Sequence, residues 1–160
     1  MVKPCFIQAA RATDLPFVYA GELDYIQQIE PQQEAQWKDA MIAHLRQWTA
    51  NLTRMFVVEQ ENTVVGYCFW EIHGDTAVLA SIHVISGKRR SGLGRLLLMK
   101  FLNDARAQGF NALLLAVKEN NPARSLYEQS GFHHTRDEQG YRHYAHAAVE
   151  PRSAPGNRFE

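Results

Sequence analysis

The chain has 160 residues, of which 46% are hydrophobic, and its 17 basic and 17 acidic residues cancel in net charge. This length and composition predict one globular domain, while the balanced charge argues against a nucleic acid or a membrane surface as partner. Cys5 and Cys68 lack the paired spacing of a zinc site or a disulfide framework, so we expect no metal. We find no secretory segment and no membrane-spanning apolar run, which makes a cytoplasmic protein the expectation.

The N-terminal third is predicted to be mostly helical. A short strand over residues 6–10 precedes a helix that ends near residue 23. After Pro31, apolar residues at helical spacing predict a second helix over residues 33–49.

Acidic residues outnumber basic residues in this helical part. They are Glu22, Asp24, Glu30, Glu34 and Asp39, against Lys38 alone. Two interpretations fit this excess: a solvated helix face, or one wall of a substrate site that attracts a cation.

The middle of the chain alternates between strand and helix patterns. Residues 54–60, 64–73 and 77–84 are separated by short turns and predict three antiparallel strands. An apolar stripe predicts a helix over residues 93–108, and the continuous apolar run of residues 111–117 predicts a strand buried on both faces. A strand, a helix and a strand in this order imply a right-handed parallel crossover.

A short helix and a hairpin, over residues 132–137 and 141–147, complete the predicted elements. Proline, glycine and charged residues follow the hairpin. We therefore expect the domain to cover residues 1–147 and residues 148–160 to form a disordered tail.

The loop before the long helix has the features of an anion site. The first amides of a helix have no partner inside it, and they lie at the positive end of the helix dipole. Gly92 and Gly94 would let a ligand approach the backbone, and basic side chains surround them. Leu93 and Leu97 stand where a P-loop and a dinucleotide fingerprint require other residues. The sequence therefore predicts a phosphate or pyrophosphate site of another kind.

Two motifs resemble the GCN5-related N-acetyltransferase (GNAT) superfamily. The spacing Arg89-x-x-Gly92-x-Gly94 resembles its acetyl-CoA signature, and NPARSLYEQSGF, residues 121–132, resembles its second signature. The resemblance implies an α/β (α+β) fold: a mixed, mostly antiparallel seven-stranded sheet flanked by four helices. In that fold a splayed parallel strand pair forms the acyl-CoA cleft, and acetyl-CoA is the cosubstrate.

The resemblance also implies which residues bind the cofactor. The pantetheine arm would pair with the main chain of Ile82 and Val84, and the pyrophosphate would rest on the amides of residues 90–95. Asn121, or its neighbour Asn120, would contact the pantetheine arm, with helix capping as the alternative role of Asn121. The full set is Ile82, His83, Val84, Arg89, Arg90, Ser91, Gly92, Leu93, Gly94, Arg95, Asn120, Asn121 and Tyr127. The side chain of His83 is expected on the same strand face as Ser81, opposite Ile82 and Val84.

Tyr127 is the general acid that the resemblance implies, with a core aromatic residue as the alternative. Attack of an amine on a thioester expels a thiolate, whose reference pKa of about 8.5 lies below the phenol value of about 10. A hydrogen bond that strengthens as charge grows on sulfur would assist this step. The amide of Val84 could polarise the thioester carbonyl.

The general base is less clearly marked. Family members carry an acid or His at positions that match Val78 and Ala80, and both residues are apolar here. Glu71, acting through water, is the substitute candidate, and His73 is a weaker one. The candidates for substrate binding are Glu22, Asp24, Glu30 and Glu71, and the first three could also accept a proton if the first helices fold over the cleft.

These motifs predict an N-acetyltransferase that moves an acetyl group from acetyl-CoA to a primary amine by direct attack in a ternary complex. The acidic excess favours a cationic small molecule as acceptor. The alternatives are a protein or peptide amine as acceptor, and a non-catalytic acyl-CoA sensor, which the apolar Val78 and Ala80 would suit. A homodimer is compatible with the resemblance.

Overall fold

The computed structural model describes residues 3–146, so the predicted tail and residues 1, 2 and 147 of the predicted domain lie outside the described residues. Within them, seven strands form one sheet. The strands are β1 (Cys5–Ala9), β2 (Met55–Gln60), β3 (Thr63–His73), β4 (Thr76–Val84), β5 (Ala112–Lys118), β6 (Phe132–Glu138) and β7 (Tyr141–His146). The helices are α1 (Leu15–Ile29), α2 (Glu34–Asp39), α3 (Met41–Ala50), α4 (Leu93–Ala107) and α5 (Arg124–Gln129).

The strand order in the sheet is β1-β2-β3-β4-β5-β7-β6. Every neighbouring pair is antiparallel except β4 and β5, which are parallel and are joined through α4. The predicted meander, crossover and final hairpin are confirmed, as is the mixed seven-stranded sheet.

Two apolar cores lie on opposite faces of the sheet. The larger core joins α4 and α5 to residues such as Cys68, Trp70 and Leu113. The smaller core joins the first helices to Tyr67 and Phe69. The sheet therefore separates the α4 and α5 side of the molecule from the α1, α2 and α3 side.

The apolar stripe of α4 holds this helix on the sheet. Leu97, Leu98 and Phe101 are fully buried, and burying each such side chain contributes about 1.5–3 kcal/mol. The indole of Trp70 donates a hydrogen bond to Asp104 at 2.9 Å, which fixes the far end of the helix. The N-terminus of α4 is thereby held in place beside the end of β4.

The helices differ from the prediction in two respects. The first helix continues to Ile29, rather than ending near residue 23. The second predicted helix is two helices, because the chain turns at Ala40 and the ring of His44 caps the carbonyl of Trp37 at 2.7 Å. Within residues 3–146, five α-helices therefore flank the sheet, where four were predicted.

No helix among residues 3–146 is both long enough and apolar enough to cross a membrane.

Candidate active site

The parallel strands β4 and β5 pair only at their beginnings. Their register includes Thr76 with Ala112, Ala77 with Leu113 and Val78 with Leu114, and pairing ends there. β4 continues to Val84 beside β3, and β5 continues to Lys118 beside β7. A wedge-shaped gap therefore opens in the middle of the sheet.

A β-bulge marks the point where the strands part. Phe69 of β3 faces Ser81, while the next residue, Trp70, faces Leu79, so Ala80 is the extra residue of β4. Bulges bend a strand and re-aim the side chains that follow them. The sequence prediction missed this feature, since nothing in the residue types at this point distinguishes a bulge from a regular strand.

The bulge decides which side chains of β4 reach each face. Ala77 and Leu79, before it, and Ile82 and Val84, after it, all contact the α4 and α5 core. Ser81 turns to the other face, where it contacts α1. The ring of His83 also lies on that face, 5.6 Å from the Tyr67 ring. Burial lowers the pKa of His83, and the charge of Arg89 lowers it further.

The main chain of β4 beyond the bulge presents a free edge to the gap. The amide of Ile85 donates to the carbonyl of Val65 on β3 at 3.0 Å. Because successive residues of a strand turn their main-chain groups to opposite edges, Ile82 and Val84 turn theirs away from β3. An extended ligand could pair with this edge as an added strand.

The glycine loop ends in a helix N-terminus with unpaired amides. The first hydrogen bond of α4 runs from the Leu96 amide to the Gly92 carbonyl at 3.1 Å, so the three amides before Leu96 have no acceptor in the helix. Gly92 has φ +89°, a left-handed conformation that favours glycine. Arg90 and Arg95 make no ion pair with residues 3–146, so their charge is available to an anion.

Arg89, the first residue of the loop motif, is already engaged. Its Nε donates to the carbonyl of Val84 at 2.8 Å, and its guanidinium pairs with Asp24 at 3.3 Å. These contacts fold the loop back onto the end of β4. The structure thus places Arg89 where it supports the loop. Within the loop, the hydroxyl of Ser91 donates a hydrogen bond to the carbonyl of Lys88 at 2.5 Å.

Tyr127 lies in the α4 and α5 core, where 5% of its surface is exposed. Its ring packs edge-on against Phe132 at 6.1 Å and near Tyr144 at 6.4 Å. Its hydroxyl makes no hydrogen bond with residues 3–146. Burial, and the nearby thiol of Cys68, raise the pKa of Tyr127, so the phenol keeps its proton near neutral pH.

Cys68 is an unreactive thiol. It is fully buried, its Sγ contacts the Leu97 carbonyl at 3.6 Å, and burial raises its pKa to about 12. A thiol with so little thiolate at neutral pH is a poor nucleophile. Cys68 therefore does not suit a covalent acyl-enzyme step.

The two asparagines before α5 each have a structural contact. The side-chain oxygen of Asn121 accepts the amide of Ala123 at 2.9 Å, which caps the turn into the helix. The side-chain amide of Asn120 donates to the carbonyl of Ile29 at 3.2 Å and so links this turn to the end of α1. Contact of either residue with pantetheine stays a prediction.

Glu22 occupies the α1 side of the gap. Its Oε2 accepts the hydroxyl of Ser81 at 2.5 Å and also the hydroxyl of Tyr67. Its Oε1 has no partner among residues 3–146. Burial raises the pKa of Glu22, and the two hydroxyl hydrogen bonds oppose this rise.

The other acidic candidates are differently placed. Glu30 accepts the hydroxyls of Tyr25 at 2.7 Å and Tyr141 at 3.0 Å, which ties the end of α1 to β7. Asp24 is paired with Arg89, as described above. Glu71 lies near the other end of β4, opposite Val78, where β4 and β5 still pair.

The carboxylate of Glu71 is held under α3. It accepts hydrogen bonds from Gln47 at 2.7 Å and Asn51 at 3.3 Å, and His73 contacts its other oxygen at 3.0 Å. Gln47 on α3 and Asn51 at its C-terminal end link this helix to β3, whereas His73 belongs to β3 itself. The structure does not bring Glu71 together with Glu22 and the free edge of β4.

Glycine at position 21 allows α1 to lie this close to the sheet. A Cβ atom there would be 2.6 Å from the ring of Tyr67 and 2.9 Å from the ring of His83. Contacts this short do not occur between a Cβ and an aromatic ring, so a larger residue would displace α1 and with it Glu22. An isolated glycine within a helical pattern was the sequence signal for this close approach.

We expect Gly21→Ala to lower the free energy of unfolding by about 1–2 kcal/mol. Overpacking a core costs up to about 3 kcal/mol, and alanine recovers about 1 kcal/mol of helix propensity. Equilibrium urea unfolding measures the change. Gly87→Ala is the control, because a Cβ there meets no atom within 4 Å. An unaltered unfolding midpoint for Gly21→Ala would contradict the tight packing.

A cleft of about 220 Å³ lies between α1 and the end of β4. Gly21, Asp24, His83 and Ser86 are among its lining residues. Its lining includes Gly21, which directly precedes Glu22, and Ser86, in the turn that follows β4. Among residues 3–146, no group of three His, Cys, Asp or Glu side chains could hold a metal ion.

Known proteins share both this fold and this sequence pattern. The sequence profile described as "Acetyltransferase (GNAT) family" matches residues 23–132. The PaiA N-acetyltransferase of Thermoplasma acidophilum, solved in complex with coenzyme A, has a TM-score of 0.74 at 14% identity, over 90% of this chain and 99% of that one. At this identity the likeness establishes the fold.

Two curated relatives match parts of the sequence. The ribosomal protein bS18-alanine N-acetyltransferase of Haemophilus influenzae is 34% identical over 73 residues, which cover 46% of this chain and 50% of that protein. The mycothiol acetyltransferase of Beutenbergia cavernae is 35% identical over 111 residues, which cover 58% of this chain and 37% of that protein. The chain thus spans half or less of the length of these relatives. The profile match extends over more than half of the chain and includes both motifs, and the chain therefore belongs to the GNAT acetyltransferase family.

Proposed function

We propose that this protein is an acetyl-CoA-dependent N-acetyltransferase that transfers the acetyl group directly to a primary amine. One observation carries the proposal: Val84 on the free edge of β4, Leu93 at the start of α4 with its unpaired amides, and Tyr127 all pack in the same core. These are the three groups that a thioester with a diphosphate needs along its length. The family and the coenzyme A complex of a structural neighbour support the same ligand.

Different residues would bind the different parts of acetyl-CoA. The amides at the start of α4, with Arg90 and Arg95, would hold the pyrophosphate. The main chain of Ile82 and Val84 would pair with pantetheine, and the Val84 amide would polarise the thioester carbonyl. Tyr127 would donate a hydrogen bond to the departing sulfur.

The acceptor is the open part of this proposal. One curated relative is named for a ribosomal protein's alanine and the other for mycothiol. Two of the acidic residues first considered for a cationic small molecule, Asp24 and Glu30, are engaged by Arg89 and by tyrosines. A peptide α-amine is thus the main candidate beside a cationic small molecule.

A panel of amines tests the proposal and separates these acceptors. We expect coenzyme A release with at least one class among polyamines, amino acids and short peptides with a free N-terminus. Turnover of peptides alone would exclude the small-molecule acceptor. Tight acetyl-CoA binding without turnover of any amine would favour the non-catalytic sensor. Cell fractionation and size-exclusion chromatography test the expected cytoplasmic location and homodimer.

A further inference from the structure

One oxygen of the Glu22 carboxylate is held by Ser81 and Tyr67, and the other has no partner in the described part of the chain. We propose that Glu22 accepts the proton of the acceptor amine, with Oε1 as the accepting atom. This inference rests on the proposed function, since it names the base of that reaction. Glu22 was first considered among several acidic residues of the helical part, and the geometry now distinguishes it from the others.

The two hydroxyls fix the position of the carboxylate. Ser81 on β4 and Tyr67 on β3 both donate to Oε2, and both belong to strands of the sheet. A base whose second oxygen is anchored on rigid strands cannot turn away from the site, and its free oxygen is presented in one direction. Ser81 directly precedes Ile82, the first residue of the free edge. Glu22 therefore lies next to the segment along which a thioester would lie.

Glu22 and Tyr127 stand on opposite faces of the sheet. Glu22 contacts the face that α1 covers, whereas Tyr127 belongs to the core under α4 and α5. The gap between β4 and β5 connects the two faces. An amine could then approach the acetyl carbon from the Glu22 side while sulfur departs on the Tyr127 side.

An ammonium ion has no lone pair, so the acceptor amine must lose a proton before it attacks the thioester. For an alkyl amine whose ammonium form has a pKa of about 10.4, the neutral fraction at pH 7 is below about one part in a thousand. Glu22 takes one N–H proton, the freed lone pair forms the N–C bond, and the C–S bond breaks with its electron pair on sulfur. The second N–H proton lost on amide formation balances the proton that sulfur takes up. The proton on Oε1 then leaves to solvent, so that one proton is released per acetyl transfer.

The remaining carboxylates fit this role less well. Both oxygens of Glu71 have partners, and it lies where β4 and β5 are still paired. Glu30 is held between two tyrosines, and Asp24 neutralises Arg89. Burial raises the pKa of Glu22 toward neutral pH, which strengthens it as a base relative to an exposed carboxylate.

The test compares Glu22→Gln with the wild-type protein. Glutamine can accept the same two hydroxyls but cannot take a proton. We expect kcat/KM for an alkyl amine at pH 7 to fall by about 10-fold to 100-fold, with the acetyl-CoA Kd changed less than about 2-fold. Glu34→Gln is the matched control. It removes one carboxylate from the same side of the sheet. The Glu34 carboxylate has Lys38 and Gln27 as its partners among residues 3–146, and we expect full activity.

The pH dependence separates a base from a merely structural residue. A base acts only when it is deprotonated, so the rising limb of kcat/KM that follows the titration of the base should be lost in Glu22→Gln. The kcat/KM of this variant should then rise only with deprotonation of the amine, and its defect should shrink as pH approaches the amine pKa. Other ionisable side chains lie near Glu22 and could contribute to the pH profile. Those that change charge near neutral pH are therefore substituted in parallel. The neighbours are His44 on α3, Tyr67 on β3, His83 on β4, Asp24 and Tyr25 on α1 and Arg89 in the loop.

Several outcomes would overturn the proposal. Wild-type kcat/KM and an unchanged pH profile in Glu22→Gln would remove Glu22 from the proton path. Loss of the rising limb in a His83→Gln or Glu71→Gln protein, with Glu22→Gln unaffected, would assign the base elsewhere. If Glu22→Gln fails to fold, Ser81→Ala provides the test, with kcat lowered several-fold and acetyl-CoA affinity kept. A wild-type protein that transfers no acetyl group would instead contradict the proposed function itself.

Discussion

Tyr127→Phe is expected to lower kcat by about 10-fold to 1000-fold while acetyl-CoA affinity stays within about 2-fold. The phenol has no hydrogen-bond partner among residues 3–146, so its removal leaves the free protein's contacts intact. The ring, which packs against Phe132 and Tyr144, is retained. The change therefore removes only the hydrogen bond that would strengthen as charge grows on sulfur.

The raised pKa of Tyr127 sharpens this expectation. Burial keeps the phenol protonated over the usual assay range, so the wild-type rate should show no falling limb from this group near neutral pH. At the reference pKa values of about 10 for tyrosine and about 8.5 for a thiol, full proton transfer from the phenol to the thiolate costs roughly 2 kcal/mol. Tyr127 is thus expected to act mainly as a hydrogen-bond donor.

Steady-state kinetics with isothermal titration of acetyl-CoA measure both quantities for Tyr127→Phe. Tyr19→Phe on α1 is the matched control, since its ring packs beside Trp37 and its hydroxyl has no partner among the described residues. Thermal midpoints of both variants should lie within about 2 °C of the wild type. If Tyr127→Phe keeps wild-type turnover, the phenol takes no part in the chemistry.

The sequence predicted the elements whose signals are local. The glycine loop, the α4 stripe and the continuous apolar strand β5 carry residue-type patterns, and each was found in its place. The order of these elements then predicted the parallel pair, because a strand, a helix and a strand in one sheet typically form a right-handed parallel crossover. The elements of the proposed cofactor side could therefore be predicted largely from residues 78–132.

The proposed acceptor side, around Glu22, depends on contacts that the sequence does not encode locally. The bulge at Ala80 reverses the facing of β4, and only this reversal brings Ser81 under α1. Glu22 is 59 residues from Ser81 along the chain, so no spacing rule connects them. The position of α1 over the sheet follows from tertiary packing. Gly21, which allows the close approach of α1 to Tyr67 and His83, is the residue in the sequence that indicates this packing.

Gly92→Val is expected to weaken acetyl-CoA binding by at least about 100-fold. The amides that follow Gly92 are the proposed pyrophosphate donors, and hydrogen bonds to a charged group contribute about 1.5–3 kcal/mol each. Loss of two such bonds exceeds the roughly 2.8 kcal/mol that a 100-fold change requires. A Cβ at Gly92 meets no protein atom within 4 Å, so the added side chain would occupy the space from which a ligand approaches.

Backbone strain has to be separated from this block, because φ at Gly92 is +89° and valine tolerates such a value poorly. Gly92→Asn serves this purpose: asparagine accepts the left-handed conformation more readily but still carries a side chain over the amides. We expect it to lose binding as well, whereas Gly87→Ala, in the same loop and without a positive φ, should bind normally. Isothermal titration with acetyl-CoA measures all three variants, and circular dichroism checks that each is folded. Tight binding by a folded Gly92→Val protein would place the diphosphate away from the N-terminus of α4, and the site built around that helix would then be wrong.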